Sequence, residues 1–167
     1  DLADQSKYIE ARARYRLAEG TAAYRAADFR EARSSYSGSL LSREPAIRMQ
    51  GHLGMGNCLF QLGWLGLSGE KYPSDPASLP DLERFDKIVK EQLAKMAKEE
   101  APEDSDTRGY VKFESLITNW VDAVRHYDSA LKITAAEKVA TQNRALTMTY
   151  LKRLEELLQQ EEQQTRE

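Results

Sequence analysis

Apolar residues along this chain recur at steps of three and four, and runs of β-branched residues are scarce. Glycine and proline fall between the periodic segments, so the pattern predicts helices throughout and no paired strands. The first helix is expected from about Gln5 to Ala26, with Tyr8, Ala11, Tyr15, Ala18, Ala22 and Ala26 along one stripe. Asp28 is a natural N-cap for a second, over roughly Phe29 to Ser42, which presents Phe29, Ala32, Tyr36, Ser39 and Leu40. Pro45 suits the first turn of a third. That helix is expected to end near Gly63 and carries Met49, Leu53, Gly56, Leu59 and Phe60, its small Gly54 and Gly56 admitting a close neighbour at some cost in helix propensity.

Between Leu65 and Leu116 lie Pro73, Pro76, Pro80 and Pro102, four of the five prolines, which divide this stretch into loop, helix and loop. Its helix is expected over Asp81 to Lys98, where Leu82, Phe85, Ile88, Val89, Leu93 and Met96 share one face. Such a stripe needs a surface to lie on, and packing within the chain avoids exposing a large apolar patch. Glu99, Glu100, Glu103, Asp104 and Asp106 form an acidic run that reads as a solvated loop. Ala135 to Glu167 reads as one long helix with Val139, Leu146, Tyr150, Leu154 and Leu157 on one side. Beyond Leu158 its Gln/Glu-rich end offers nothing to bury and is expected to project and fray.

The chain also repeats itself. Gly20 and Tyr24, followed by Asp28-Phe29, Ala32, Tyr36 and Ser39-Leu40, set out a pattern that Gly56 and Phe60 restart 36 positions later. Its second half returns downstream as Asn119-Trp120, Ala123, Tyr127 and Ala130-Leu131, so about 55 residues are inserted between the two helices of the second unit. Ala32 and Ala123 are expected at close helix crossings, with the aromatic one turn later filling the groove between neighbours. Trp120, as the counterpart of Phe29, is expected to anchor the start of its helix against Met49 to Gly63.

Through Gly20 and Gly56, Tyr24 and Phe60, Ala32 and Ala123, and Tyr36 and Tyr127, the chain resembles a tetratricopeptide-repeat protein, a family with a period of roughly 34 residues. It departs from the family at Arg16 and His52, where Trp is usual, at Glu19 in place of Leu, and at Ala23 in place of Tyr. A terminal repeat followed by a Leu-rich helix and a Gln/Glu tail, with Asn143 in its first half, also resembles the small tetratricopeptide proteins of bacterial Bat (aerotolerance) operons. The resemblance implies an all-α superhelix of antiparallel helix pairs forming a single domain over residues 1–167. Residues 5–44 would be the first repeat, 45–64 and 117–134 the two helices of a split second repeat, 65–116 the insertion, and 135–167 a capping helix.

Composition narrows the chemistry. In 167 residues, 24 Lys and Arg stand against 27 Asp and Glu, for a net charge of −3, so the basic footprint of a nucleic-acid binder is absent. Cys58 is the only cysteine, which excludes an intrachain disulfide, a multi-cysteine zinc site and a CxxC pair. On a helix beside Leu59 and Phe60 it reads as a small hydrophobe. His52 and His126 lack the spacing of a zincin and are expected to be packed or surface residues. No phosphate loop or nucleophile elbow occurs, because Gly51, Gly54 and Gly56 fall inside a helical pattern. No catalytic residue, metal or cofactor is therefore expected. Mean hydropathy is −0.66, and no run approaches the roughly 18 apolar residues of a spanning helix. The chain opens at Asp1 rather than methionine, and a leader or anchor ahead of it would favour a periplasmic or membrane-associated location over a cytoplasmic one.

The expected function is recognition: a groove lined by the first helix of each pair, holding a peptide or partner protein of an assembly. The family resemblance places Arg14, Leu17, Thr21, Tyr24 and Arg25 in that groove from the first repeat, and Leu53, Asn57, Phe60 and Gln61 from the second. Arg14 and Arg25 would meet an acidic segment or a C-terminal carboxylate. The family's two-carboxylate clamp is incomplete, because Asn57 has no Asn counterpart at Thr21. Two other classes compete: a homo-oligomer built through the insertion's helix, and an enzyme-accessory domain whose insertion forms a pocket.

Overall fold

A computed structural model describes residues 1–73, 80–98 and 113–166, and among these it is all-α, without a strand. In chain order the helices are α1 (Leu2–Arg25), α2 (Phe29–Ser39), α3 (Pro45–Ser68), α4 (Leu82–Lys98), α5 (Glu114–Ile133) and α6 (Lys138–Arg166). The acidic run from Glu99 to Asp106 and the prolines at 76 and 102 lie outside the described residues. No helix among them is long and apolar enough to cross a membrane.

Local chemistry sets the ends. The Asp1 carboxylate accepts from the Asp4 amide at 2.9 Å and opens α1, and Asp28 does the same for α2 through the Glu31 amide at 3.3 Å. Between them Ala27 sits at φ 59°, while its amide and that of Asp28 close back on the carbonyls of Tyr24 and Ala23. A left-handed alanine is strained by its Cβ. Ala27→Gly is therefore expected to raise stability by about 1 kcal/mol, read from the urea midpoint; an unchanged midpoint would mean the turn relaxes at no cost. Pro45 occupies the first turn of α3, as expected. The helix runs past Gly63 to Ser68, however, and stops where Gly69 takes φ 79°. Gly63 does not end it because that position serves packing: a Cβ there would stand 2.5 Å from the Trp120 indole nitrogen. The last helix continues to Arg166 rather than ending its order at Leu158, and Glu162 pairs with Arg166 at 3.2 Å in its final turn.

α3 is the centre of the packing: α2 bridges α1 and α3, α5 bridges α3 and α6, and α4 lies against α6 and α3. Two helix pairs make the same contacts. A Cβ on Gly20 would stand 2.8 Å from the Tyr36 ring, and one on Gly56 2.6 Å from the Tyr127 ring. The Tyr36 hydroxyl donates to Thr21 Oγ1 at 3.2 Å and the Tyr127 hydroxyl to Asn57 Oδ1 at 2.7 Å. Tyr24 meets Phe29 with ring centroids 5.3 Å apart, and Phe60 meets Trp120 at 5.5 Å. Ala32 and Ala123 are both fully buried. Residues of the second pair stand 36 positions after their counterparts in the first helix and 91 after those in the second.

The largest core gathers Phe60, Trp64, Tyr72, Phe85, Trp120 and Tyr150, drawn from α3, the segment after it, α4, α5 and α6. α4 contributes its stripe of Phe85, Val89, Leu93 and Met96, all buried within the chain. Arg153 of α6 fastens it from outside, grasping the Asp86 carboxylate with two hydrogen bonds of 2.8 and 2.6 Å. That guanidinium holds the Asp86 carboxyl below its ordinary pKa, against partial desolvation. By contrast, the Tyr8, Ala11, Tyr15, Ala18, Ala22 and Ala26 stripe expected to face the core is exposed along the whole of α1. The face α1 buries is that of Ala13 and Gly20, with Leu17, Ala23 and Tyr24 packed beside the α2–α3 contact.

Candidate functional site

The nine residues placed in a groove by the family resemblance separate into three environments. Leu53 and Phe60 are core residues: Leu53 packs with Met49, Leu59, Ala123 and Tyr127, and Phe60 lies inside the aromatic cluster. Gln61 is also buried, and its amide is spent on the chain itself. Nε2 donates to the Tyr72 carbonyl at 3.3 Å and Oε1 accepts from the Tyr72 amide at 2.8 Å. The segment after α3 thus covers the end of α3 that the groove would have used. The Tyr72 hydroxyl completes the cover by meeting that of Tyr150 at 2.9 Å, and Tyr150 also accepts from the Asp81 amide that leads into α4.

Arg14 is exposed but engaged in an ion pair with Glu44, whose carboxylate raises the guanidinium pKa. It does not stand free to bracket a ligand together with Arg25. Glu10 nearby is held by the Arg43 amide and the Ser42 hydroxyl, which lower its pKa in that order and tie the α2–α3 turn to α1.

Leu17, Thr21, Tyr24, Arg25 and Asn57 remain on the α1–α3 surface. Arg25 is exposed and makes no ion pair among the described residues. Tyr24 is half-buried, and desolvation pushes its phenol pKa up, partly offset by a hydrogen bond with Gln61. Thr21 Oγ1 returns its proton to the Leu17 carbonyl at 3.1 Å while accepting from Tyr36. Asn57 is held most firmly: its Oδ1 accepts from Tyr127 Oη at 2.7 Å and from Asn143 Nδ2 of α6 at 2.9 Å. No acceptor among the described residues takes the Asn57 amide protons. Asn143 is not among the expected site residues, because its partner lies 86 positions earlier and only the docking of α6 beside α3 joins them.

Two further concavities lie elsewhere. A cleft of about 760 Å³ opens between α2, α3 and α5, lined by Arg30, Arg33, Ser37, Met55, Leu62 and Asn119 among others. A more apolar groove of about 540 Å³ runs between α5 and α6 over Ile117, Val121, Met148, Leu151 and Leu158. Cys58 is fully buried and desolvation lifts its thiol pKa to about 12, so at neutral pH it is a protonated packing residue. No set of three or more His, Cys, Asp or Glu side chains arranged for a metal ion occurs among the described residues. In comparisons with known proteins, no family model, no curated protein and no solved structure matches the chain.

Proposed function

We propose that this chain is a non-catalytic helical-repeat module that binds an extended segment of a protein partner across α1, α3 and α6, in the manner of the tetratricopeptide repeats it resembles. The observation that carries this reading is Asn57, whose oxygen is saturated by Tyr127 and Asn143 while its amide protons have no partner within the described chain. An amide fixed in this way is a ready donor to a peptide carbonyl or carboxylate. Thr21 and Tyr24 beside it supply hydroxyl and ring contacts, and the unpaired Arg25 sets a preference for an acidic segment. The contacts shared by the two helix pairs support the repeat assignment. Within the same proposal the module serves as an adaptor or assembly factor, and its Bat-like features point to a bacterial, membrane-associated complex.

The test is a displayed peptide library with free C-terminal carboxylates, panned against the full chain and against Arg25→Glu combined with Asn57→Asp. The Asn57→Asp change keeps the acceptor that Tyr127 and Asn143 use and exchanges the donors for a carboxylate that repels an acidic segment, so helicity and melting temperature should hold while capture falls. The double variant is expected to lose capture by about tenfold, the equivalent of about 1.4 kcal/mol, and added salt should weaken the wild-type complex. Undiminished capture by the variant would remove this face from consideration.

Self-association is a second reading, favoured by one observation. The insertion helix spends its apolar face inside the chain, but the α1 stripe leaves Tyr8 65% and Tyr15 66% exposed, with Ala11, Ala18 and Ala22 between and beyond them. Alanines allow two helices to approach closely and the tyrosines would flank the seam. Light scattering should then report a dimer that Tyr8→Lys with Tyr15→Lys converts to monomer; a wild-type monomer at high concentration ends the idea.

A further inference from the structure

The two histidines of this chain are the only ones it has, and they meet. His52 of α3 and His126 of α5 are 74 positions apart in sequence, yet their Nδ1 atoms are 3.0 Å apart and their ring centroids 5.3 Å, with planes tilted by 33°. Both rings are half-buried. Two neutral imidazoles can share such a contact only if one Nδ1 carries a proton and points it at the lone pair of the other.

The same separation fits a different occupant. Two imidazole nitrogens bound to one zinc-like cation at 2.0–2.1 Å, at coordination angles between square and tetrahedral, stand about 2.8–3.4 Å apart. A cation could not take the shared proton's place on the line between the nitrogens, where it would lie about 1.5 Å from each. It would bind to one side of that line, with both rings turning so that their Nδ1 lone pairs converge on it, the nitrogens parting by a few tenths of an ångström and the shared proton moving to Nε2. We propose that His52 and His126 form a two-imidazole binding site for a borderline divalent cation such as Zn²⁺, Ni²⁺ or Cu²⁺, which would clip α3 to α5.

Imidazole nitrogen selects these ions and leaves the oxygen-seeking Mg²⁺ and Ca²⁺ unbound. Burial, the first cause for each ring, lowers both pKa values and favours the neutral imidazoles, each with one nitrogen lone pair to offer. The surrounding charge is mixed. Arg48 faces His52, Arg33 of α2 faces His126, and both oppose a cation, whereas the Asp122 carboxylate one turn before His126 favours it. Since no third ligand joins the pair among the described residues, water completes the coordination, and binding is weaker than at a structural zinc site with four protein ligands. Cys58, the only thiol, is buried and protonated. The clip would tie the two helices that the insertion separates in sequence, so binding would raise folded-state stability by mass action.

The experiment uses the full chain, stripped with a chelator and melted in increasing ZnCl₂ or NiCl₂, with MgCl₂ as the control ion. Zinc and nickel are expected to raise the melting temperature by several degrees and magnesium to leave it unchanged. His52→Gln and His126→Gln should each abolish the shift. On one equivalent of Cu²⁺, the wild-type electron paramagnetic resonance spectrum should show coupling to two nitrogens. That measurement keeps the proposal open to refutation even where a variant does not fold. No shift up to millimolar zinc, an equal shift in the variants, or a copper spectrum without two-nitrogen coupling would each overturn the site and leave a hydrogen-bonded histidine pair only.

Discussion

Trp120→Ala is expected to lower the unfolding free energy by about 3–5 kcal/mol, the range for deleting a large aromatic from a packed core. The indole is fully buried and lies 5.5 Å from the Phe60 ring, 6.4 Å from Trp64, 6.0 Å from Phe85 and 5.9 Å from Tyr150, centroid to centroid. One side chain on α5 therefore touches α3, α4 and α6 at once. Its Nε1 donates to the Phe60 carbonyl at 3.1 Å, a contact admitted by the missing side chain at Gly63. Truncation would leave a void bounded by four rigid rings, which cannot collapse as a ring of leucines could. Against a typical total of 5–15 kcal/mol, the loss is large. Trp120→Phe should recover part of it, because a ring stays in the stack while a hydrogen bond of about 0.5–1.5 kcal/mol and the extra volume of the indole go. Urea titration of the three proteins measures the series; a loss below about 1 kcal/mol for the alanine variant would mean that α5 is anchored elsewhere.

That anchor was legible in the sequence. Trp120 and Phe29 occupy matching places in a repeated pattern, and both pack on the aromatic that the same pattern aligns, Phe60 and Tyr24. The helix starts at Asp28 and Pro45 were readable too, since a cap or a first-turn proline acts on its own backbone and needs no distant partner. The α1 stripe failed for a physical reason. Periodicity marks a face able to pack, but α1 stands at the end of the packing order and no helix among the described residues lies beside its Tyr8–Ala22 face. The face it does bury reads as weak because small residues and polar contacts are mixed into it: Ala13 and Gly20 are buried there beside Arg16, which reaches Ser34, and Glu19, which accepts from the Ser35 hydroxyl at 2.6 Å.

The site was less legible than the fold. Arg14 looks free in sequence because Glu44, which neutralises it, is 30 positions away across the α2–α3 turn. Gln61 looks like a groove donor because nothing local shows that the Tyr72 backbone will occupy its amide. His52 and His126 likewise carry no sign of their 74-residue meeting. Each of these depends on where the chain returns after a turn or a long intervening stretch, and pattern reading does not supply that.

The glycines of α3 give the sharpest check on the packing, because the structure predicts opposite signs within one helix. At Gly56 a Cβ would meet the Tyr127 ring at 2.6, 2.8 and 2.9 Å, closer than any real side-chain contact, and Tyr127 is itself buried and tied by its hydroxyl to Asn57. Neither ring nor helix can yield cheaply, so Gly56→Ala should cost about 1–3 kcal/mol as overpacking. At Gly66, further along the same helix, a Cβ would meet nothing within 4 Å. Gly66→Ala removes the entropy penalty of a helical glycine and should gain about 0.5–1 kcal/mol. Propensity alone would make both substitutions favourable, so the sign at Gly56 isolates the crossing. Gly56→Ala combined with Tyr127→Leu should cost less than the sum of the two, because removing the ring vacates the space that the new methyl enters. Strict additivity in that cycle, measured by urea unfolding, would show that Gly56 and Tyr127 are not in contact and that the shared geometry of the two helix pairs is mistaken.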